Sequence, residues 1–463
     1  MARINSIYIC QSCGAQTRQF FGRCSSCGEW NSIVEEVIYR KGSRGNDKKE
    51  FSSIKGSIQR SERIDSVNEE VVNRLKSKFE EFDRVLGGGL VPGSIVLVGG
   101  EPGIGKSTLL LQSATRMANT ESVLYISAEE SAQQVRLRWE RLEMKESKLN
   151  LLAETDLEVI EDEIKNLKPD IAIIDSIQAL NDTNLTSAPG SVSQVRECSA
   201  VLQKIAKNQN TAIVLVGHVT KEGILAGPKV LEHLVDAVLT FEGDRFASHR
   251  LLRAVKNRYG ATHELGVFEM QAKGLIEVNN PSEIFLSRDE SPGVATIVAY
   301  EGTRSIAIEI QALVNTTTYA SPRRTATGIE TNRLHQILAV LEKKMNLALS
   351  RHDCYLAVAG GLNVEEPAAD LGIAAAIISS YKDISLPIGT VLIGELGLGG
   401  QLRTVRQISQ RICEASRLGF NRAIVPISSG LNSVAKERNI EILQASTLNE
   451  ALLLGFDCKT RKL

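Results

Sequence analysis

Short apolar runs alternate with amphipathic helical patterns through the middle of the chain. Four such runs, at 95–98, 123–127, 171–174 and 212–216, show no polar alternation. Continuous apolar runs of this length are typical of strands buried on both faces of a parallel sheet. A helical pattern begins with Leu109, Leu110 and Leu111, soon after the first run. The pattern therefore predicts a doubly wound α/β domain, which we place at 79–278.

The pattern changes at about Asn279. Apolar strands are predicted at 295–300 and 306–313, a helix at 334–345, and further strand–helix alternation to the end of the sequence. A chain of 463 residues is also longer than one domain normally is. We therefore predict a second α/β domain over 279–463.

Composition and charge exclude several classes of protein. With 43% hydrophobic and 24% charged residues the chain is typical of globular proteins. Because it has no apolar run of about 18 residues and no signal-peptide pattern, we expect a cytoplasmic protein without a membrane partner. The net charge is only -1, so any binding to nucleic acid must use a local patch.

One such patch is offered by residues 39–78, which are rich in Lys, Arg, Ser, Glu and Gly. Their low aromatic content predicts a linker. Basic residues outnumber acidic ones in the first 78 residues. Two interpretations stay open for the linker, a solvated tether and a contact with nucleic acid.

The first 38 residues contain two Cys-x2-Cys pairs, Cys10 with Cys13 and Cys24 with Cys27, each followed by Gly. Four thiolates complete a tetrahedron around one Zn²⁺, and such a closed site has a structural role. Two disulfides or a redox pair are the alternatives, which a reducing compartment and the doubled motif disfavour. We predict a zinc ribbon at 1–38.

Four aromatic residues surround these cysteines: Tyr8, Phe20, Phe21 and Trp30. They have two possible roles, as a miniature hydrophobic core or as a platform for base stacking. We expect the core.

The strongest motif follows the first apolar run, where Gly100-x4-Gly105-Lys106-Ser107 leads into the helical pattern. In this strand–loop–helix context, backbone amides converge on phosphate oxygens at a helix N-terminus. Lys106 would bind the β/γ-phosphates, and Ser107 would bind Mg²⁺. The predicted ATP-binding residues are Gly100, Glu101, Pro102, Gly103, Ile104, Gly105, Lys106, Ser107 and Thr108.

Polar residues follow the next three apolar runs. Glu129 would orient and deprotonate the attacking water, although a helix-capping role is the alternative. Asp175, at the end of the third run, would hold Mg²⁺ together with Ser107. His218 follows the fourth run, where it would either sense the γ-phosphate or serve as a hydrogen-bonded loop residue.

Several further segments carry a family resemblance. FDRVLGGGL at 82–90 resembles the entry signature of RecA-type ATPases, and KNRYG at 256–260 is similar to the Lys-Asn-Arg-Phe-Gly motif of the bacterial RadA family of DNA repair proteins. Tyr259 in place of Phe is a departure from that motif. The segments at 217–223 and 231–244 also look like this family. The resemblance implies a zinc module, a RecA-like core and a Lon-protease-like domain.

This resemblance implies an assembly as well. RecA-like subunits form rings or filaments with nucleotide between neighbours, so we expect a homo-oligomeric ring, taken as a hexamer. Lys256 and Arg258 would reach a neighbour's phosphates as catalytic residues, with an exposed basic turn as the alternative. A loop at 218–230, with Lys221 and Lys229, would face single-stranded DNA.

The carboxy-terminal part resembles a Lon protease domain without its catalytic residues. In the stretch EPAAD, Ala368 stands at the nucleophile position, and Ser409 stands at the position of the catalytic Lys. A methyl group cannot attack a carbonyl, and no base is present to activate a nearby hydroxyl. The sequence therefore predicts a domain without proteolytic activity.

The expected function is that of a DNA-dependent ATPase, a motor in recombinational repair. It would bind single-stranded DNA, drive branch migration of strand-exchange intermediates and work with a recombinase or a replicative helicase. An ATP-dependent protease and a signalling or scaffold ATPase are the alternatives.

Overall fold

The computed structural model divides into two compact units, Met1–Glu242 with Arg250–Glu277 and Gly243–His249 with Val278–Leu463. Each unit is described by itself. The residues that the structure describes are 5–10, 15–26, 28–30, 32–38, 73–144, 147–218, 230–243, 248–286, 290–319, 321–431 and 440–456.

The first unit begins with a small antiparallel sheet. Its strands are β1 (Asn5–Cys10), β2 (Gln16–Thr17) and β3 (Ile33–Ile38), in the order β2-β1-β3. Cys10, Cys24 and Ile33 form its buried core, and Tyr8 and Ala15 pack against them.

Three aromatic side chains lie outside this core. Phe20 is 60% exposed, Phe21 48% and Trp30 69%. The prediction of a miniature aromatic core is therefore wrong for these residues. Among the side chains that the structure describes in this small module, Cys10, Cys24 and Ile33 occupy the interior, and these three large rings lie at the surface.

The larger part of the first unit is a three-layer α/β structure. Its strands are β4 (Ile95–Gly100), β5 (Val123–Ser127), β6 (Asn150–Ala153), β7 (Ile171–Asp175), β8 (Ala212–Val216), β9 (Ala237–Glu242), β10 (His249–Asn257), β11 (Leu265–Gln271) and β12 (Gly274–Glu277). Its helices are α1 (Glu80–Leu86), α2 (Lys106–Met117), α3 (Ala132–Arg141), α4 (Leu157–Leu167), α5 (Val192–Gln209) and α6 (Val230–Leu234).

These strands form one nine-stranded sheet in the order β12-β11-β10-β9-β4-β8-β7-β5-β6. The six strands from β9 to β6 are parallel, and β10 pairs with β9 in the antiparallel sense. Val96 and Val98 of β4 belong to one buried cluster, whereas Ile95 and Leu97 belong to another. Both faces of β4 are thus covered, which explains its uninterrupted apolar sequence and confirms the prediction of a doubly wound domain.

Residues 73–78, which composition placed in the linker, instead pack on this domain. Leu75 forms a backbone bridge with Leu90, and both of its backbone hydrogen bonds are made. The Ser77 side chain is fully buried, and its carbonyl accepts a hydrogen bond from Ser113. The polar composition of this segment did not predict its packing, because backbone hydrogen bonds attach it to the domain.

The second unit has a mixed seven-stranded sheet. Its strands are β13 (Val294–Glu301), β14 (Arg304–Thr316), β15 (Arg324–Thr327), β16 (His352–Val358), β17 (Thr390–Leu392), β20 (Arg422–Pro426) and β21 (Glu441–Ala445), in the order β15-β16-β14-β13-β17-β20-β21. A separate hairpin pairs β18 (Glu395–Leu396) with β19 (Leu402–Arg403). The helices are α7 (Pro281–Ile284), α8 (Thr331–Met345), α9 (Asp370–Lys382), α10 (Ile408–Arg417) and α11 (Leu448–Gly455).

The predicted strands at 295–300 and 306–313 are β13 and β14, and the predicted helix at 334–345 is α8. None of the helices in the described ranges has the length and hydropathy that a membrane span requires.

Candidate functional site at the strand ends

The loop between β4 and α2 has the geometry that the phosphate-binding motif requires. Gly100 and Gly105 have φ of +157° and +118°, in the region that L-residues avoid. A Cβ at Gly100 would lie 2.8 Å from the Phe241 carbonyl oxygen, and one at Gly105 would lie 2.8 Å from Met270 Cε. Glycine is therefore needed at both positions, and the loop delivers the N-terminus of α2 to the carboxyl edge of the sheet.

Lys106 is the first residue of α2 and is only 4% exposed. Its Nζ donates to the carbonyl oxygens of Gly100 at 2.8 Å and Glu101 at 3.0 Å. Burial lowers the pKa of Lys106, and the carboxylates of Asp175 and Glu129 oppose that shift. The ammonium group is thus held above the loop, where a phosphate would compete for it with the two carbonyls.

His218 connects this lysine to the predicted catalytic carboxylate. Its Nδ1 lies 3.4 Å from Lys106 Nζ, and its Nε2 lies 3.0 Å from Glu129 Oε1. Since an ammonium group only donates, Nδ1 accepts and Nε2 carries the proton that is donated to Glu129. The structure therefore places His218, which follows β8, between two residues that the sequence predicts to be functional.

Glu129 lies just after β5 and accepts hydrogen bonds from His218 and from the Ser176 hydroxyl. The bond from His218 is the main cause of its lowered pKa, while partial burial acts in the opposite direction. The group is therefore a carboxylate near neutral pH, as a general base must be.

Asp175 ends β7 and is 7% exposed. The buried Tyr125 hydroxyl donates to Asp175 Oδ2 at 2.7 Å, which fixes that carboxylate. A buried carboxylate, a hydroxyl at Ser107 and the glycine loop are a donor set that fits hydrated Mg²⁺ and a triphosphate. Asp175 and Ser107 would hold the ion, which would neutralise phosphate charge.

Replacement of Glu129 by Gln tests the role of its carboxylate. We expect kcat for ATP hydrolysis to fall about 100-fold or more, because an amide cannot accept the proton of the attacking water. ATP affinity, measured by equilibrium binding, should change little. The matched control is Glu130→Gln, since Glu130 is the adjacent carboxylate and pairs with Arg138 instead. Equal losses in the two variants would contradict the assignment.

Lys256 and Arg258 lie near the amino-terminal ends of the parallel strands, whereas the phosphate loop lies at their carboxyl ends. Asn257 pairs with Ala237, and Ala237 pairs with Val96, four residues before Gly100 along β4. At about 3.3 Å per residue, these positions are roughly 13 Å from the phosphate loop along the strand. The structure therefore does not bring Lys256 and Arg258 together with the other predicted site residues within one subunit.

Both residues have partners at that edge. Lys256 Nζ donates to the carbonyl oxygens of Glu232 at 2.5 Å and Val235 at 2.8 Å, close to the C-terminus of α6. Burial lowers its pKa. Arg258 pairs with the buried Asp236 at 3.0 Å, yet its side chain is 52% exposed. Arg258 thus has a guanidinium that is paired with Asp236 and still half exposed.

The structure describes two of the four predicted zinc ligands, Cys10 and Cys24. Cys10 is fully buried and Cys24 is 2% exposed. The Ser26 amide donates to Cys24 Sγ at 3.4 Å, which is the amide-to-sulfur contact that favours a thiolate. Cys13 and Cys27 lie outside the described residues. Buried thiols with an amide donor fit a structural Zn²⁺ site.

Exchange of Cys24 for Ser tests this site. We expect one equivalent of zinc to be lost and the amino-terminal module to unfold, since a structural ion contributes directly to folding. ATP binding by the remainder of the chain should persist. Metal analysis together with ATP binding measures both effects, and the partly buried Cys413, replaced by Ser, is the control. Wild-type protein without zinc would contradict the assignment.

The carboxy-terminal unit has an ion pair close to its predicted inactive position. Ala368 is buried just before α9, and Ser409 is the second residue of α10. Two residues from each of them, Glu366 and Arg411 form a two-pronged pair with both distances at 2.6 Å. Arg411 is 2% exposed and also donates to the Val298 carbonyl oxygen. This pair ties the two segments together as a structural element.

Sequence reasoning missed two residues of the nucleotide site. Tyr125 lies inside an apolar run, so only its hydroxyl distinguishes it from a core residue. Ser176 directly follows the predicted ligand Asp175, and this position at the end of a strand is the sequence feature that could have identified it. Each acts by holding a predicted carboxylate, Tyr125 on Asp175 and Ser176 on Glu129.

Family models match three parts of the chain. Residues 8–35 match a rubredoxin metal binding domain, 59–223 an AAA domain, and 305–429 subunit ChlI of Mg-chelatase. These matches fit the zinc ribbon, the P-loop core and the carboxy-terminal domain.

Curated relatives cover almost the whole chain. The DNA repair protein RadA of Bacillus subtilis (strain 168) is 49% identical over 98% of this chain and 99% of its own length. The chain belongs to the RadA family. A second member, from Synechocystis sp., is 51% identical over 92% of this chain and 90% of its own length. Membership confirms the predicted resemblance to this family.

Among solved structures, a KaiC-like protein from Pyrococcus horikoshii OT3 covers 45% of the chain and 99% of its own length, at 21% identity and a TM-score of 0.37. The RadB recombinase covers 44% of the chain and 100% of its own length, at 20% identity and a TM-score of 0.35.

Proposed function

We propose that the protein is an ATP-dependent DNA motor of recombinational repair, which binds single-stranded DNA and drives branch migration of strand-exchange intermediates. The observation that carries the proposal is the connected set Lys106, His218, Glu129 and Ser176 at the end of the sheet beside Asp175. Membership in a family of DNA repair proteins supports the choice of DNA as the substrate of the motor.

The chemistry follows from the positions of the side chains. Lys106 binds the β/γ-phosphates and leaves its two carbonyl partners. Glu129 accepts a proton from the attacking water, and its low pKa keeps it ionised. Because His218 touches both residues, movement of Lys106 toward phosphate changes the contacts of His218 as well.

His218 is also the last described residue before 219–229, the segment that includes Lys221 and Lys229. That segment, predicted to face DNA, lies outside the described residues. Its place in the sequence directly after His218 supports a coupling in which the state of the nucleotide changes the grip on single-stranded DNA.

We further propose that the working unit is a ring, taken as a hexamer, with nucleotide between adjacent subunits. The opposite locations of Lys106 and Arg258 on one sheet support this arrangement. A head-to-tail contact brings the Arg258 edge of one subunit to the phosphate loop of the next. There the guanidinium, with Lys256, stabilises charge on the transferred phosphoryl group.

The direct experiment is ATP hydrolysis with and without a single-stranded oligonucleotide. We expect stimulation by DNA, and DNA binding that weakens steeply with salt, because phosphate contacts release counterions. Hydrolysis that ignores DNA, together with no salt-sensitive binding, would favour a signalling or scaffold ATPase instead.

Ala368 at the nucleophile position supports the proposal that this domain is not proteolytic. Casein should therefore stay intact during prolonged incubation with ATP and protein. Degradation that ends when Lys106 is replaced by Ala would overturn this part of the proposal.

A further inference from the structure

The zinc module exposes a set of aromatic rings that its own fold does not use. Phe20, Phe21 and Trp30 are each about half exposed or more. Burying a large apolar side chain stabilises a protein, because it removes apolar surface from water. Three exposed large rings on so small a module are the kind of apolar surface that is typical of interaction sites. We call Phe20, Phe21, Arg23 and Trp30 the aromatic patch.

The patch combines flat rings with a positive charge. Arg23 and Trp30 face each other in an antiparallel bridge, and Arg23 Cζ lies 5.7 Å from the centre of the Trp30 ring. Arg23 Nε donates to the Gly28 carbonyl oxygen at 2.8 Å, which fixes the guanidinium beside the indole. This distance is within the range of a cation–π contact.

The other end of the patch is also ordered. Tyr8, which packs on the buried core, touches the Phe20 ring edge-on, with centroids 6.0 Å apart and an angle of 64° between the planes. Phe20 and Trp30 are therefore positioned by the fold while much of their surface stays in solvent. Positioned rings lose little conformational entropy on binding.

Charge favours nucleic acid as the occupant. Exposed Arg18 and Arg23 flank Phe20 and Phe21 in the sequence, and Glu29 is the single acidic residue of the sequence from 15 to 30. The segment that follows the module, 39–78, has an excess of Lys and Arg. Rings that stack bases, beside cations that attract phosphates, are the usual means of binding a single strand without sequence preference.

We infer that the aromatic patch of the zinc module stacks bases of single-stranded DNA and so forms a binding site separate from the phosphate-loop domain. The inference rests on the proposed function, because it assumes that the motor meets single-stranded DNA. It assigns the zinc module a contact with the substrate strand in addition to the folding role of its metal.

The first test uses the two tryptophans of the chain, Trp30 and Trp139. Trp139 is partly buried against the core of the ATPase unit, and Trp139→Phe leaves Trp30 as the sole indole. Binding of oligothymidylate to this full-length variant should quench Trp30 fluorescence at the concentrations that raise the anisotropy of a labelled oligonucleotide. An abasic oligonucleotide of equal length should bind through its phosphates with little quenching. Unchanged emission at saturating oligothymidylate would overturn the inference.

The second test measures affinity. Phe20→Ala and Trp30→Ala should each weaken binding of oligothymidylate by about tenfold, the effect of losing one stacked base. Val34→Ala removes an exposed apolar side chain of the same module outside the patch and should leave binding unchanged. Zinc content equal to wild type confirms that each variant is folded, and ATP hydrolysis without DNA should not change.

The outcomes separate the two proposals. If wild-type protein binds the oligonucleotide and both patch variants bind it as the Val34→Ala variant does, the inference is wrong and the proposed function stands. If wild-type protein binds no single-stranded DNA at low salt, the proposed function fails and the inference fails with it.

Discussion

Replacement of Lys106 by Ala is expected to reduce ATP turnover by about 100-fold or more. Lys106 is a buried cation that the fold holds over the phosphate loop, through the Gly100 and Glu101 carbonyl oxygens. Its loss leaves phosphate charge uncompensated in the ground state and even more so during transfer. Steady-state hydrolysis at saturating ATP measures the effect on kcat, and equilibrium binding measures the effect on affinity.

The matched control is Lys207→Ala, which removes an exposed lysine from α5 of the same unit. Its turnover should equal that of the wild type. Since Lys106 is buried, the thermal unfolding of the Lys106→Ala variant is measured in parallel to show that it is folded. Wild-type turnover in a folded Lys106→Ala variant would refute the nucleotide site.

Replacement of Arg258 by Ala is expected to reduce turnover by about 10³-fold while ATP still binds, as for loss of an arginine finger. Arg258 lies far along the sheet from the phosphate loop of its own chain, so we expect the effect to arise at a neighbour's nucleotide. Mixing provides the decisive version of the experiment. Arg258→Ala subunits keep an intact phosphate loop, and Lys106→Ala subunits keep an intact Arg258, so mixed assemblies regain complete sites.

We therefore expect mixtures of the two inactive variants to hydrolyse ATP faster than the sum of the separate proteins. Arg258→Lys serves as the folding control, because it keeps a cation beside the buried Asp236 but lacks the planar fork of Arg. It should remain folded and nearly inactive. A mixture that shows no recovery, although the subunits exchange, would contradict a role for Arg258 in a neighbouring site.

The parts of the structure that were predictable from the sequence are determined by residues that are close together in the chain. Runs at 123–127 and 212–216 became β5 and β8 with the same bounds, because a strand buried on both faces is apolar over nearly its whole length. The phosphate loop was equally predictable, since its glycines and Lys106 act within eight consecutive residues.

Other features depend on contacts between distant parts of the chain. No local pattern indicates that Tyr125 holds Asp175, 50 residues away, or that His218 bridges Lys106 and Glu129. The aromatic patch was misjudged for a similar reason. Whether Phe20 and Trp30 are buried depends on the volume of the module's core, and this volume cannot be read from composition.

The location of Arg258 relative to the phosphate loop could likewise not be predicted from the sequence, because it depends on the order and direction of the strands in the sheet. In the sequence, the motif at 256–260 could have folded beside either edge. Antiparallel pairing of β10 with β9 places it at the amino-terminal edge of β4. Because Arg258 therefore lies far from the phosphate loop of its own chain, its location supports the proposal of a site between subunits.

Electron microscopy of the protein with a non-hydrolysable ATP analogue and a single-stranded oligonucleotide shows directly whether the nucleotide lies between adjacent subunits. We expect a closed ring in which each nucleotide lies between two subunits, with Lys106 of one and Arg258 of the next on either side, and DNA in the channel. Monomers, or rings whose nucleotide touches one subunit alone, would contradict it.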